Sequence, residues 1–339
     1  MGSWSFRNKL GSLIFEGPSY LFGLIPRPHG WVRVHNRSDV FLPGPRPPGI
    51  CPQWNDTRTL HFCDVFPGSA RRLLRRAMKD VPFGFAERPS GDDPKVSFLI
   101  GHKGEDRLPQ LLQVLASIAG QTGVSVECIV CEQDVRPRVG DALPPWVRYV
   151  FCESGGRPYN RSRAFNVAAE LARGKHLILH DNDLVVPARF AESHSAALAD
   201  GWDVANLKRF IFYLSHQSLE IGSLHRGTCD VEFVMQNARG GGSLAISAEA
   251  FRSIGGMDEG FIGWGGEDVE FWDRCQTLRL CDSQYLPLIH LWHLSQAGKR
   301  TLDGKGNATA EYFLQRMNQP REHRIKRLQS QMGNGNSAG

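Results

Sequence analysis

The sequence predicts an α/β fold with a mainly parallel central sheet flanked by helices, preceded by an N-terminal appendage. Three observations carry this expectation. From Lys95 onward, short apolar runs rich in strand formers alternate with segments of helical spacing. One of those runs, "KHLILHDND", ends in a cluster of acids, and the carboxyl ends of strands are where such sheets bind ligands. Before Lys95 the chain is rich in glycine and proline and shows no such alternation.

Residues 1–94 read as a Pro/Gly-rich extension or small accessory region. "FLPGPRPPGICP" (Phe41 to Pro52) excludes helix and central strand, because proline lacks the N–H that both need. "SARRLLRRAMKDV" (Ser69 to Val81) predicts a short basic helix with Leu73, Leu74, Ala77 and Met78 on one side. It reads as a docking helix with a solvated arginine face; contact with anionic lipid or an acidic partner is the alternative. Residues 95–300 carry the regular pattern. "KVSFLI" is a strand, "LPQLLQVLASIAG" a helix, and "VSVECIVCEQD" and "WVRYVFC" are strands. "NRSRAFNVAAELARG" is an amphipathic helix leading to "KHLILHDND". A glycine-rich approach then enters "SLAISAEAFRSIGG" as strand and helix, and "YLPLIHLWH" is a further strand. Residues 301–339 predict one helix around "AEYFLQRMN" and then a polar, disordered tail.

A hydrophobic fraction of 41% is enough for a sizeable core, and a net charge of +5 is too mild to indicate nucleic-acid binding. Cys128 and Cys131 form a C-x-x-C, but they sit in a core strand and no second pair follows. They read as buried thiols rather than zinc ligands, and the scatter of cysteines suits a reducing compartment. The apolar stretch "LGSLIFEGPSYLFGLIP" is broken by Glu16, Gly17 and Pro18, is too short to span a bilayer, and lacks a cleavage site. The expectation is a cytoplasmic protein, with peripheral contact at the inner face of the membrane as a further option.

Three constellations carry chemistry. Asp181-Asn182-Asp183 is a D-x-D at the mouth of a core strand, where carboxylates can hold Mn²⁺ or Mg²⁺ for a diphosphate. His290 and His293 lie three apart, so strand alternation puts them on opposite faces unless the chain turns there; either is a plausible imidazole ligand. "GWGGEDVEFWDR" (Gly263 to Arg274) places Glu267 and Asp268 in the first turn of a helix, where the dipole favours ionised acids. An ionised carboxylate there can take a proton from a sugar hydroxyl, and Trp264 offers a face for a sugar ring.

In this order, these motifs resemble the catalytic domain of the β-1,4-galactosyltransferase-like enzymes, relatives of the family 2 inverting glycosyltransferases with the GT-A fold. "YNRSRAFNVA", "HDNDLVVP", "GWGGEDVEFWDR" and "HLWH" carry the resemblance, which covers about Val96 to Leu294. It implies Asp268 as catalytic base, Asp183, His293 and His290 as metal ligands, and Asp181 near the ribose and metal. Trp264, Glu267, Gly265, Gly266 and Gly242 would shape the donor and acceptor pocket. His102, Lys103, Glu132, Asp134, Arg161 and Asn166 would lie on the nucleotide side. Val269 stands where the family motif usually continues with a second aspartate. The implied activity is metal-dependent, inverting transfer of Gal, GalNAc or a similar sugar from a UDP-sugar to a glycan, glycolipid or glycoconjugate, in surface polysaccharide synthesis. A retaining GalNAc-transferase-like enzyme and a non-catalytic sugar-nucleotide or glycan-binding module are the alternatives.

Overall fold

The structure, a computed structural model, describes residues 4–66, 68–216, 229–263, 265–294 and 308–335. The N-terminal segment holds α1 (Phe6–Phe15), α2 (Gly17–Leu24), a 3₁₀ turn (Gly30–Arg33), β1 (Phe41–Pro43), β2 (Ile50–Pro52), β3 (Arg58–Thr59), α3 (His61–Val65) and α4 (Ser69–Asp80). The alternating region follows with β4 (Val96–His102), α5 (Leu108–Ala119), β5 (Val126–Asp134), β6 (Arg148–Glu153), α6 (Arg161–Leu171), β7 (His176–His180) and β8 (Leu184–Val185). After it come α7 (Phe190–Ala199), β9 (Val204–Leu214), β10 (Val231–Gln236), β11 (Ser243–Ser247), α8 (Ala248–Ser253), α9 (Glu267–Cys275) and β12 (Leu280–His290). Two helices, α10 (Ala308–Met317) and α11 (Arg321–Gly335), complete the described chain.

The sheet runs in the order β1-β2-β12-β9-β11-β7-β4-β5-β6. Strands β7, β4, β5 and β6 are parallel neighbours, as the strand–helix alternation requires. β9 and β12 form a second parallel pair. β11 lies between the two blocks and runs antiparallel to β7 and β9, so the whole sheet is mixed. Both of its faces are covered. Along β4, Phe98 and Ile100 enter one apolar cluster and Leu99 the other, as period-two alternation demands. Cys128 and Cys131 fall on opposite faces for the same reason, both buried and free.

Residues 1–94 are joined to this sheet rather than hung beside it. β2 pairs with β12 through Ile50 and Gln284, and β3 pairs with β10. Trp31, Val32, Leu73 and Leu74 are buried in the same cluster as Phe98 and Phe210. α4 buries Leu73, Leu74 and Ala77 while Arg72 and Arg75 face outward, which is the docking arrangement its spacing predicts. A buried cation completes the attachment. Arg209, on β9, donates from Nε to the Val32 carbonyl at 2.8 Å and from Nη2 to the Val34 carbonyl at 2.5 Å. Strand and 3₁₀ turn therefore satisfy each other's polar groups away from water.

The C-terminal region differs from its sequence expectation. Instead of a disordered tail after the first helix, α11 packs on α8 and α9. Leu328 and Arg324 are buried, and Arg324 Nη1 donates to Glu270 Oε1 at 2.7 Å. A polar segment thus gains order from one apolar and one ionic anchor, neither of which shows as helical periodicity.

Candidate active site

The site forms where β7 and β12 end. Leu177, Ile178 and Leu179 bury β7 in the core and deliver Asp181, Asn182 and Asp183 to its carboxyl end. The Asp181 N–H then donates to the Gly242 carbonyl at 2.8 Å, fixing the turn against the glycine-rich entry to β11. β8 follows at once and pairs antiparallel with the end of β12, Leu184 opposite His290. The Leu291 N–H donates to the Asp183 carbonyl at 2.8 Å. This pairing carries the two histidines to the D-x-D.

His290 Nε2 lies 3.7 Å and His293 Nε2 3.2 Å from Asp183 Oδ2. The chain leaves β12 after His290, so the alternation that would separate residues three apart no longer applies. One ligand atom from each of Asp183, His290 and His293 falls within 4.8 Å of the others. The His293 Nδ1–H donates to the Leu294 carbonyl at 2.8 Å, which leaves the lone pair on Nε2. That Nε2 is buried without a hydrogen-bond partner, so the residues fit a borderline divalent cation with a mixed N/O set. His290 stacks on Tyr213, ring centroids 4.1 Å apart. Burial pushes the Asp183 carboxyl up, but the charges of His290 and Arg107 beside it outweigh this and hold the group well below the usual carboxylate range.

Arg161 opens α6, whose N-cap Asn160 accepts from the Arg163 N–H at 2.9 Å. Its guanidinium donates from Nε to Asp181 Oδ1 at 3.0 Å and stands 3.6 Å from Glu267 Oε1. One half-buried cation therefore ties the D-x-D to the start of α9. A second tie runs through the backbone, where the Gly263 N–H donates to the Tyr159 carbonyl at 2.9 Å.

Glu267 and Asp268 are adjacent but occupy different environments. Glu267 is buried; burial and neighbouring Asp268 raise its carboxyl, with Arg161 opposing. Asp268 is half-buried in the cleft wall. Its Oδ1 accepts from the Val269 N–H at 2.8 Å, which leaves Oδ2, near Gly241, to receive a proton. Gly240 lets the β10–β11 loop meet this turn, since a Cβ there would collide with the Asp268 carbonyl oxygen. The loop is held from below by Lys208, whose Nζ donates to the Arg239 carbonyl and to Asn206 Oδ1, both at 2.7 Å. At the head of α9, Gly266 has φ +91°, a conformation that side chains other than glycine's rarely adopt. Arg161, Asp181, Asp183, Gly240, Asp268 and His290 border one cleft of about 1100 Å³.

A family model described as the N-terminal domain of galactosyltransferase matches residues 224–287, a range that contains the glycine-rich loop, Asp268 and most of β12. Rat β-1,4-galactosyltransferase 6 is 28% identical over 130 residues, covering 37% of this chain and 28% of the relative. Mouse β-1,4-galactosyltransferase 5 is 28% identical over 133 residues, covering 38% of this chain and 29% of the relative. The chain resembles the β-1,4-galactosyltransferases. It spans less than a third of the length of these curated relatives.

Of the site residues that the galactosyltransferase resemblance implies, Asp181, Asp183, Glu267, Asp268, His290, Arg161, Lys103 and Gly242 line the cleft, and His293 adjoins it at Asp183. Others are engaged elsewhere. The carboxylate of Glu132 accepts from the Arg138 N–H and from the Tyr149 hydroxyl, and Asp134 takes Arg138 Nε at 3.0 Å. Both close the loop after β5 rather than facing the cleft. His102 is fully buried, bonded to the Gly104 carbonyl and to Asn182, so it supports the D-x-D from behind. Asn166 fastens α6 to Met257 and Glu259. Gly265 and Gly266 shape the turn before α9 without lining the cleft, and Trp264 lies outside the described residues. The sequence motifs do not single out Arg107, Tyr213 or Lys208. Arg107 follows the β4 loop, where its charge is the signal that marks it; Lys208 is hidden inside an apolar strand.

Proposed function

We propose that the protein is a metal-dependent glycosyltransferase that moves Gal, GalNAc or a similar sugar from a UDP-sugar to a hydroxyl of a glycan, glycolipid or glycoconjugate, with inversion. The observation that carries this reading is the convergence of Asp183, His290, Asp181, Arg161 and Asp268 on one cleft, from segments far apart in the chain. A volume of about 1100 Å³ accommodates a sugar nucleotide together with an acceptor.

Asp268 takes the proton of the acceptor hydroxyl on Oδ2 as that oxygen attacks the anomeric carbon. The bond from that carbon to the diphosphate breaks, and its electron pair leaves with UDP. Asp183, His290 and His293 would hold Mn²⁺ or Mg²⁺, which when bound supplies positive charge for the leaving diphosphate. Lys103 and Arg107 line the same cleft and add to that field. Arg161 orients Asp181 and Glu267, so the D-x-D and the residue beside the base are positioned by one guanidinium.

The test is Asp268→Asn assayed with UDP-sugars and Mn²⁺. Transfer is expected to fall by about 10²-fold or more while UDP binding persists. Near-normal turnover in the variant would remove Asp268 from its role. NMR of the product separates the other readings: a retained anomeric configuration would indicate a retaining enzyme. No UDP release from any donor would indicate a binding module.

A further inference from the structure

The N-terminal helices are amphipathic the wrong way round for a globular protein. On α1, Phe6, Leu10, Leu13 and Ile14 recur at the spacing of one helical face, and all four are exposed. The opposite side carries Asn8, Gly11 and Ser12 and ends at Phe15, which is exposed beside Arg37. Ser12 is the buried residue of α1, and its hydroxyl donates to Glu16 at 2.6 Å; Glu16 in turn meets His61 Nδ1 at 3.2 Å. On α2, Leu21 and Phe22 are exposed while Tyr20 and Gly23 face inward.

This hairpin is not a frayed end. The Tyr20 hydroxyl donates to the Ser69 carbonyl at 2.6 Å and its ring stacks on Phe62 at 4.4 Å. A Cβ at Gly23 would collide with Val34, so α2 sits close against the 3₁₀ turn. The polar side is anchored, and the apolar side is left to water. More than half of the exposed large apolar side chains among the described residues fall between Trp4 and Ile25. An apolar concentration of this kind on a surface marks an interaction site.

The charge around it selects the partner. Arg7, Lys9, Arg27, Arg33 and Arg37 are exposed in the same segment, and the Arg37 guanidinium lies 3.8 Å from the centroid of the Phe15 ring. Glu16 is the sole acid from Met1 to Ser38, and it is buried. With helices of 10 and 8 residues, neither α1 nor α2 can cross a bilayer. A docked hairpin with an apolar face and a cationic rim matches the interface of an anionic lipid bilayer, with apolar groups among the acyl chains and cations at the headgroups.

We propose that α1 and α2 form a monotopic membrane-binding surface that seats the protein on anionic lipid. The test is sedimentation of the full chain with phosphatidylcholine vesicles, with and without about 30% phosphatidylglycerol. Binding to the anionic vesicles is expected, with little to the neutral ones. Leu10→Glu with Ile14→Glu should lower the bound fraction about tenfold, because both positions are exposed and the substitution removes apolar insertion. Arg7→Glu with Lys9→Glu should remove the preference for anionic lipid. Unchanged thermal unfolding of both variants shows that the fold survives. Equal binding to the two vesicle types, or no loss in either variant, would overturn the proposal. So would a dimer in solution that Leu10→Glu with Ile14→Glu converts to monomer, since the face would then belong to a second copy.

Discussion

Arg107 donates from Nη1 to Asp183 Oδ2 at 3.1 Å, the same carboxylate oxygen that His290 and His293 approach. A fixed cation therefore shares the carboxylate that joins both histidines in the candidate metal cluster. Arg107→Ala is expected to tighten Mn²⁺ binding about tenfold, roughly 1.4 kcal/mol, because a like charge leaves the site. Isothermal titration with Mn²⁺ measures this. Weaker binding in the variant would mean that Arg107 organises Asp183 instead of competing for it.

Gly240 sits where any side chain would press on the Asp268 carbonyl. Gly240→Ala should displace the head of α9 by a few tenths of an ångström and lower kcat about tenfold or more. The KM for donor should change little, since Asp183 and Arg161 are untouched. A variant with wild-type kcat would show that the turn tolerates the shift.

His194 is buried on α7, its Nδ1–H bonded to the Phe190 carbonyl at 2.9 Å. Burial moves its pKa down to about 3 from an ordinary 6.5, with Lys208 and His180 acting in the same direction. The unfolded chain therefore binds this proton first. Stability from the neutral ring is complete above about pH 6.5 and is lost as pH falls toward the folded-state value, by up to about 1.4 kcal/mol per pH unit. Urea unfolding at pH 7, 6 and 5 should show that decline, and His194→Gln should flatten it. An identical slope in the variant would rule the histidine out as its source.

Arg324 is buried between Glu270 and Asp273, which also face Arg274 and Arg321. Removing one member of a buried ionic cluster leaves charge uncompensated, so Arg324→Met should destabilise the fold by about 3 kcal/mol. Differential scanning calorimetry would detect this as a lower Tm; a change within 1 °C would show that α11 contributes little.

The parts that the sequence makes legible are those built from local periodicity. β4, α5, β5, β6, α6 and β7 follow from runs whose neighbours in the sheet are also near in sequence. β9 escapes such reading because Lys208 and Arg209 interrupt its apolar pattern, although both are buried and bonded. The N-terminal strands escape it because their partners lie far along the chain, Ile50 with Gln284 and Thr59 with Met235. In the site, the acids and histidines of the recognisable motifs do meet. Glu132, Asp134 and Asn166 illustrate what motif position alone cannot give. A polar residue at a strand end or on a helix beside the site can equally be occupied by an adjacent loop, and only the folded partner shows which.

The ionic clasp from α11 to α9 also orders events in time. Asp268 lies one turn or less from Glu270, whose burial is balanced partly by Arg324. During synthesis the ribosome releases α9 first, and residues 276–323 must follow before that guanidinium emerges. Until then Glu270 has Arg274 of its own helix as a partner but not Arg324, so the helix that carries Asp268 stands without the second of these two cations. The clasp on the helix that carries Asp268 therefore closes only once α11 has been made.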